Sequence, residues 1–223
     1  MLYRKTLLAS LVAGSLLASP SYGAPEDYQL TANFGVTSNY LFRGVSRSNN
    51  GAAASGGVDY THKKGGYAGI WSSSMAGDDY ELDVYGGYNG ALDAFKYDVG
   101  LIYYNYPGGT SKAYPNTLEA YLNMDFSVMT VQAALTLDKQ GTSQTTDIYL
   151  SAATELELKK DLALTLLLGT WQFDDPAYES YIHVKAALSK GEFSFALEKN
   201  DKSWSQSAGD VRFYASWSRA FDL

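Results

Sequence analysis

The sequence predicts an all-β protein, a single antiparallel up-and-down transmembrane β-barrel of about 12 strands, with short periplasmic turns and longer outer loops. Three observations predict it. Apolar and polar residues alternate with a period of two along most of the chain, which sorts them onto opposite faces of extended strands. The connections between these segments are alternately short and long. The first residues have the composition of an export signal, which places the rest beyond the cytoplasm.

The N-terminus comes first. Arg4 and Lys5 give a basic start, Thr6 to Ala18 is a run of apolar and small residues, and Ser21 and Gly23 stand at minus three and minus one of a cleavage after Gly23. Residues 1–23 are therefore expected to be a signal peptide and 24–223 an outer-membrane β-barrel. No later segment approaches the ~18 consecutive apolar residues of a transmembrane helix. The densest, Leu162 to Gly169, is too short. Strands remain open to the chain, because a barrel with a polar lumen scores as mildly hydrophilic.

Strands are expected at 28–45, 52–61, 66–73, 80–89, 94–106, 115–126, 128–138, 145–158, 161–172, 180–188, 191–199 and 210–222. In the first, Tyr28, Leu30, Ala32, Phe34, Val36, Tyr40 and Phe42 share a face opposite Gln29, Thr31, Asn33, Thr37, Asn39 and Arg43. The second and third, rich in Gly, Ala and Ser, are weakly patterned, so their register is open. In the fourth, Leu82 and Val84 oppose Glu81 and Asp83, and in the fifth Val99 and Leu101 oppose Lys96 and Asp98. Leu118, Ala120 and Leu122 oppose Glu119, Tyr121 and Asn123 in the sixth. In the eighth, Ile148, Leu150, Ala152, Leu156 and Leu158 oppose Asp147, Tyr149, Ser151, Glu155 and Glu157. In the last, Phe213, Ala215, Trp217, Phe221 and Leu223 share one parity. Arg219 interrupts that apolar face near the chain end, where a long basic side chain can snorkel to headgroups. The ending Phe221-Asp222-Leu223 is similar to the C-terminal assembly signal of outer-membrane proteins.

The even-numbered connections are tight: His62 to Gly65, Asn89-Gly90, Asp125 to Val128, Lys159 to Asp161 and Ser189 to Gly191. Most odd-numbered ones are longer: Pro107 to Tyr114, Asp138 to Gln144, Phe173 to Glu179 and Asn200 to Gly209. Outer-membrane barrels have short periplasmic turns and long outer loops. Lys63 and Lys159 are therefore expected in the periplasm. Tyr28 and Tyr40, twelve residues apart, would span roughly 40 Å at ~3.3 Å per residue. A ~40° tilt brings this to about 30 Å, enough to place one ring at each edge of an apolar band. Trp71, Tyr103, Trp171, Tyr178 and Trp217 are candidates for the same girdles.

Composition narrows the function. There is no cysteine, hence no disulfide and no thiolate site. Removing Arg4 and Lys5 from the 17 basic residues leaves 15 against 24 acidic ones, a mature charge of −9 that argues against nucleic acid. The 19 tyrosines outnumber the 9 phenylalanines, and amphipathic rings of this kind favour membrane–water boundaries.

Several segments resemble one family, the TorF-type porins. They are Ser38-Asn39-Tyr40-Leu41-Phe42-Arg43-Gly44-Val45-Ser46, Gly57-Val58-Asp59-Tyr60, Gly66 to Ser73, Leu82 to Tyr88, and Tyr97 to Gly108. Beyond these the resemblance is one of strand rhythm. It implies an outer-membrane barrel with a porin role and supplies no substrate.

Candidate chemistry is sparse. His62 sits in a basic turn and is expected to be solvated. His183 has the parity of Tyr181 and Lys185 and should face the lumen, where Glu155 or Glu157 would be its acid. No sequence-local pairing supplies a nucleophile within hydrogen-bond reach, so the protein is expected not to be an enzyme. Asp78-Asp79 and Asp174-Asp175-Pro176 lack the spacing of a calcium loop and fit solvated loop tips. The scattered glycines fit bulges and close strand approaches rather than a phosphate cradle. No cofactor and no metal are expected.

By parity the inward acids are Asp59, Glu81, Asp83, Asp98, Glu119, Asp125, Asp147, Glu155, Glu157, Glu192 and Glu198, and the inward bases Arg43, Lys96, Lys185 and Arg212. The expected pore lining is Arg43, Glu81, Asp83, Lys96, Asp98, Glu119, Asp125, Asp147, Glu155, Glu157, His183 and Lys185. Eight strands fill with side chains and sixteen leave a channel, so twelve lies between. The leading expectation is a Gram-negative outer-membrane porin with a narrow, acidic, cation-preferring bore for ions or small polar solutes. Its rivals are a plugged barrel serving as anchor or adhesin, and a barrel hydrolase. The expected partners are outer-membrane lipid and lipopolysaccharide, periplasmic chaperones, the barrel assembly machinery, and small solutes or cations, with no nucleic acid.

Overall fold

The computed structural model describes residues 27–77, 79–107, 114–141, 146–202 and 209–223. The expected signal peptide, Asp78 and most of the loops expected at Pro107 to Tyr114 and Asn200 to Gly209 lie outside the described residues. The strands are β1 (Tyr28–Thr37), β2 (Leu41–Phe42), β3 (Val45–Ser46), β4 (Ala53–His62), β5 (Gly66–Ser74), β6 (Tyr80–Leu92), β7 (Phe95–Asn105), β8 (Thr117–Asp125), β9 (Thr130–Lys139), β10 (Ile148–Lys159), β11 (Leu162–Gln172), β12 (Tyr181–Lys190), β13 (Phe193–Asn200) and β14 (Arg212–Asp222). Among the described residues none is helical.

β1 and β4 to β14 form a closed, twelve-stranded antiparallel barrel, as expected. β1 pairs with β4 on one side and β14 on the other, so no edge strand is left with unpaired backbone groups. The connections sort by length as the sequence predicts, and four of the five short turns contain a residue at positive φ: Gly65, Ser127, Asp161 and Gly191. One turn differs. Asn89-Gly90 lies inside β6, which continues to Leu92 and turns at Asp93-Ala94. Gly90 pairs with Tyr97, and a Cβ there would meet the Tyr97 hydroxyl at 2.6 Å, so this glycine makes room for a ring rather than for a turn.

The period of two holds around the wall. Val84, Val99, Leu101, Leu122, Leu150, Leu166, Leu168 and Val184 point outward in a continuous apolar belt, while their neighbours Asp83, Gly100, Tyr121, Ser151 and His183 point inward. Tyrosines recur on the inner face, several lying over glycines of the next strand. A Cβ on Gly69 would strike the Tyr85 ring at 2.5 Å, and one on Gly100 would meet Tyr121 at the same distance. These glycines let the rings lie flat against the inner wall.

The first strand departs from expectation. It ends at Thr37 instead of continuing to residue 45. Ser38 still donates its backbone N–H to Ala215, and Thr37 Oγ1 donates to the Asn39 carbonyl as the chain bends inward. Residues 40–48 then satisfy one another. Leu41 opposes Ser46 and Phe42 opposes Val45, with Arg43 at φ 49° and Gly44 at φ 81° between them. Two positive φ values in a two-residue connection are the geometry of a type I′ hairpin turn. Tyr40 and Phe42 are consequently buried inside, not set in a lipid-facing wall. Trp71 and Trp171 are also interior, which removes them from the expected aromatic girdles; Tyr28 and Tyr103 remain on the outer face, where Tyr60 and Tyr88, not among the expected girdle residues, join them.

Candidate functional site: a hairpin lodged in the lumen

The β2–β3 hairpin occupies the barrel interior at the long-loop end, and it and its flanking residues are hydrogen-bonded to five strands. Arg43 donates from Nη1 and Nη2 to the two carboxylate oxygens of Glu119 on β8, at 3.0 and 2.8 Å. Its Cζ lies 4.2 Å from the Tyr149 ring centroid, 4.6 Å from that of Trp171 and 4.8 Å from that of Phe42. The Tyr181 hydroxyl of β12 donates to the Arg43 carbonyl, and Asn200 Nδ2 of β13 donates to the Gly44 carbonyl. Arg212 Nε of β14 donates to Asn50 Oδ1. Tyr40 donates to Glu81 Oε2 on β6. Burial, and then the nearby Glu81, pushes the Tyr40 phenol well above its ordinary range, so it stays a donor.

Gly44 has a steric role as well as a conformational one. A Cβ there would lie 2.6 Å from the Cβ of His183, so only glycine seats the turn against β12. His183 is itself held at both nitrogens, with Nδ1 3.0 Å from Glu198 Oε1 and Nε2 3.0 Å from the Tyr149 hydroxyl. Tyr214 donates to the other Glu198 oxygen. The acid beside His183 is therefore Glu198; Glu155 and Glu157 lie towards the short-turn end and are exposed. This chain of polar groups braces the floor on which the hairpin rests.

Of the residues singled out by parity, Glu81, Asp83, Glu119, Asp147 and His183 are buried on the inner face, and Arg43 reaches it through the hairpin instead of a strand. Asp98 accepts from Tyr67 and Asn123, while Lys185 lies over the Tyr214 ring. Lys96 is exposed, and Asp125 caps its own turn through the Ser127 N–H. Glu192 was expected inside. It instead sits in the turn before β13 and bonds Trp217 Nε1 and Arg219 on the outer surface, because a turn residue is not bound by strand parity.

Glu81 and Asp83 are each only 1% exposed, and Glu81 Oε1 and Asp83 Oδ1 have no hydrogen-bond partner among the described residues. Both belong to an acidic wall formed by β6 and β8 that faces the arginines of the hairpin loop. Arg47, missed in the sequence, is the second of these arginines, stacked over Tyr114 at 3.9 Å. Lys139, also missed, pairs with Asp147 at 3.0 Å. A bulge opposite Leu118 and Glu119 lets both Thr136 and Lys139 turn inward, three residues apart, and no parity count anticipates that. A usable signal did exist for the hairpin: Arg43-Gly44 between Phe42 and Val45, followed by Ser46 to Gly51, is turn-forming composition.

Residues 21–218 match the description of a bacterial protein of unknown function, Gcw_chp. The chain belongs to the Gcw_chp family. No curated protein sequence matches it. Among solved structures, the KdgM porin superposes with a TM-score of 0.56 at 10% identity, covering 86% of this chain and 99% of that one. The KdgM porin in complex with disordered oligogalacturonate gives 0.53 at 9% identity, covering 87% and 99%. A membrane protein from a study of in-meso crystallization gives 0.57 at 7% identity, covering 87% and 84%. At these identities the likeness is one of fold: the Gcw_chp chain has the barrel of a porin.

Proposed function

We propose that this Gcw_chp protein is an outer-membrane, porin-like channel, exported by the signal peptide at residues 1–23, whose bore is narrowed by its own first loop. The observation that carries the proposal is a closed barrel greasy outside and charged inside. A wall of Val and Leu suits lipid, whereas Arg43, Glu81, Asp83, Glu119, Asp147 and His183 inside suit a path for polar solutes. The KdgM barrel and the TorF-type resemblance of residues 38–108 support the same reading.

The lumen acids set the selectivity of the path. Glu81, Asp83 and Asp98 outnumber the bases on their side, and low-dielectric walls concentrate their field. The barrel should favour cations, with the preference fading in molar salt as the Debye length falls to ~3 Å.

A second reading, a sealed barrel that anchors or adheres, is favoured by the packing at the loop end. Ile102, Tyr104, Tyr149 and Tyr181 are all almost inaccessible to water. Conductance across planar bilayers separates the two. We expect small cation-preferring currents from the native protein and larger ones when Leu41 to Ser46 is replaced by a glycine–serine linker. Silence from both would establish the sealed barrel, and preference for chloride would overturn the acidic path.

A further inference from the structure

The groups that hold Arg43 are almost all supplied by the barrel wall. Glu119 comes from β8, Tyr149 from β10 and Trp171 from β11; Phe42 alone belongs to the hairpin. The cation at the centre arrives on a two-residue turn. The wall therefore forms a recognition box, and the hairpin fills it.

We propose that this box is a binding site for small solutes bearing a guanidinium group, and that Arg43 is its built-in occupant. The inference rests on the channel reading for the claim that solutes pass this way.

The chemistry selects the class. One carboxylate presents both oxygens side by side, matching the two parallel N–H groups of a planar guanidinium. Rings within 4.2 and 4.6 Å of the Arg43 Cζ offer π-faces that attract a weakly hydrated cation. A Ca²⁺ or Mg²⁺ ion would find one carboxylate in the box where it takes six or more oxygen ligands. A bare alkali ion gains little from the rings relative to its hydration. Along the same wall, the unpartnered oxygens of Glu81 and Asp83 leave carboxylate capacity for a second positive group on the same solute.

The box and the hairpin are then linked. An incoming guanidinium and Arg43 compete for Glu119, so uptake of the solute accompanies release of the turn. A tethered occupant acts at an effective concentration in the millimolar range, which a free solute can match.

The test empties the box. Arg43→Ala in the full chain, folded in detergent, is titrated with methylguanidinium by calorimetry. We expect saturable millimolar binding, no binding of urea or K⁺, and weaker binding to the native protein, whose box is filled. Adding Glu119→Gln to Arg43→Ala should weaken binding about tenfold or more, the loss of a charge-assisted pair. Folded Arg43→Ala that takes up no methylguanidinium, or binds it equally well with Glu119→Gln, overturns the site. Should Arg43→Ala not fold unaided, refolding with methylguanidinium or urea becomes the readout: rescue by the cation alone supports the site, and absence of rescue overturns it. Binding is read without ion flow, so a variant that binds but never conducts rejects the channel and leaves the site standing.

Discussion

Arg43 and Glu119 lie 76 residues apart in the chain and meet inside the barrel as a paired fork, with 7% and 3% of their side chains exposed. Two ions withdrawn from water this far depend on one another, because neither has solvent to fall back on. The contact is the firmest single tie between the hairpin and the wall.

Removing the charge of one partner should free the loop. Glu119→Gln leaves a buried guanidinium without its counter-ion, a change that costs about 3–5 kcal/mol in buried pairs. We expect trypsin to cut after Arg43 or Arg47 in this variant and not in the native protein. The barrel itself should stay closed, so the variant and the native protein should show the same mobility on unheated gels. Equal resistance in both proteins would show that the remaining ties suffice.

Gly44 offers a sharper comparison. Gly44→Ala brings a methyl group within 2.6 Å of the Cβ of His183 as well as placing alanine at φ 81°. Gly141 also has positive φ, at 85°, and a Cβ there would meet nothing within 4 Å among the described residues. Gly141→Ala should cost about 1 kcal/mol from conformation alone. Gly44→Ala should cost more and open the lumen to protease or to current. Matching effects from the two would remove the steric role assigned to His183.

The outer wall can be probed by charge. Leu166 points outward in the middle of β11, and Thr165 points inward beside Glu155. Leu166→Arg should cost ~2–4 kcal/mol in lipid, and Thr165→Arg distinctly less. Urea titrations of both variants in liposomes give the comparison. A greater penalty at Thr165 would mean that this face does not meet lipid.

Orientation follows from loop length. Cysteines placed at Ala177, in the exposed loop between β11 and β12, and at Lys160, in the turn between β10 and β11, lie at opposite ends of the barrel. On intact cells an impermeant maleimide should modify the first and spare the second. The reverse pattern would invert the topology.

The barrel was legible in the sequence because its wall repeats one local rule. Residues such as Val99 and Asp98, or Leu122 and Asn123, announce their faces by parity alone, and closure follows from twelve such strands with sorted connections. The site was legible only in pieces. Glu81, Asp83, Glu119 and His183 were found because they sit on regular strands. Arg43 was given the right side for the wrong reason, since a hairpin and not a continuation of the first strand to residue 45 carries it inward. The apolar residues Tyr40, Leu41 and Phe42 fit a lipid-facing strand and a lumen plug equally well, because both bury apolar surface away from water. Lys139 was hidden by a bulge, a one-residue irregularity that reverses parity without a compositional mark.

Strand β1 has two employments: it forms the seam with β14, and it is the stem from which the hairpin hangs. β14 in turn contributes Arg212, which holds Asn50 at the far end of the same loop. Sealing the cylinder and holding the loop inside it therefore draw on the same partner, β14. A chain in which β14 has yet to dock is open-sided and lacks one of the ties that hold its loop, and the docking of a single segment supplies both.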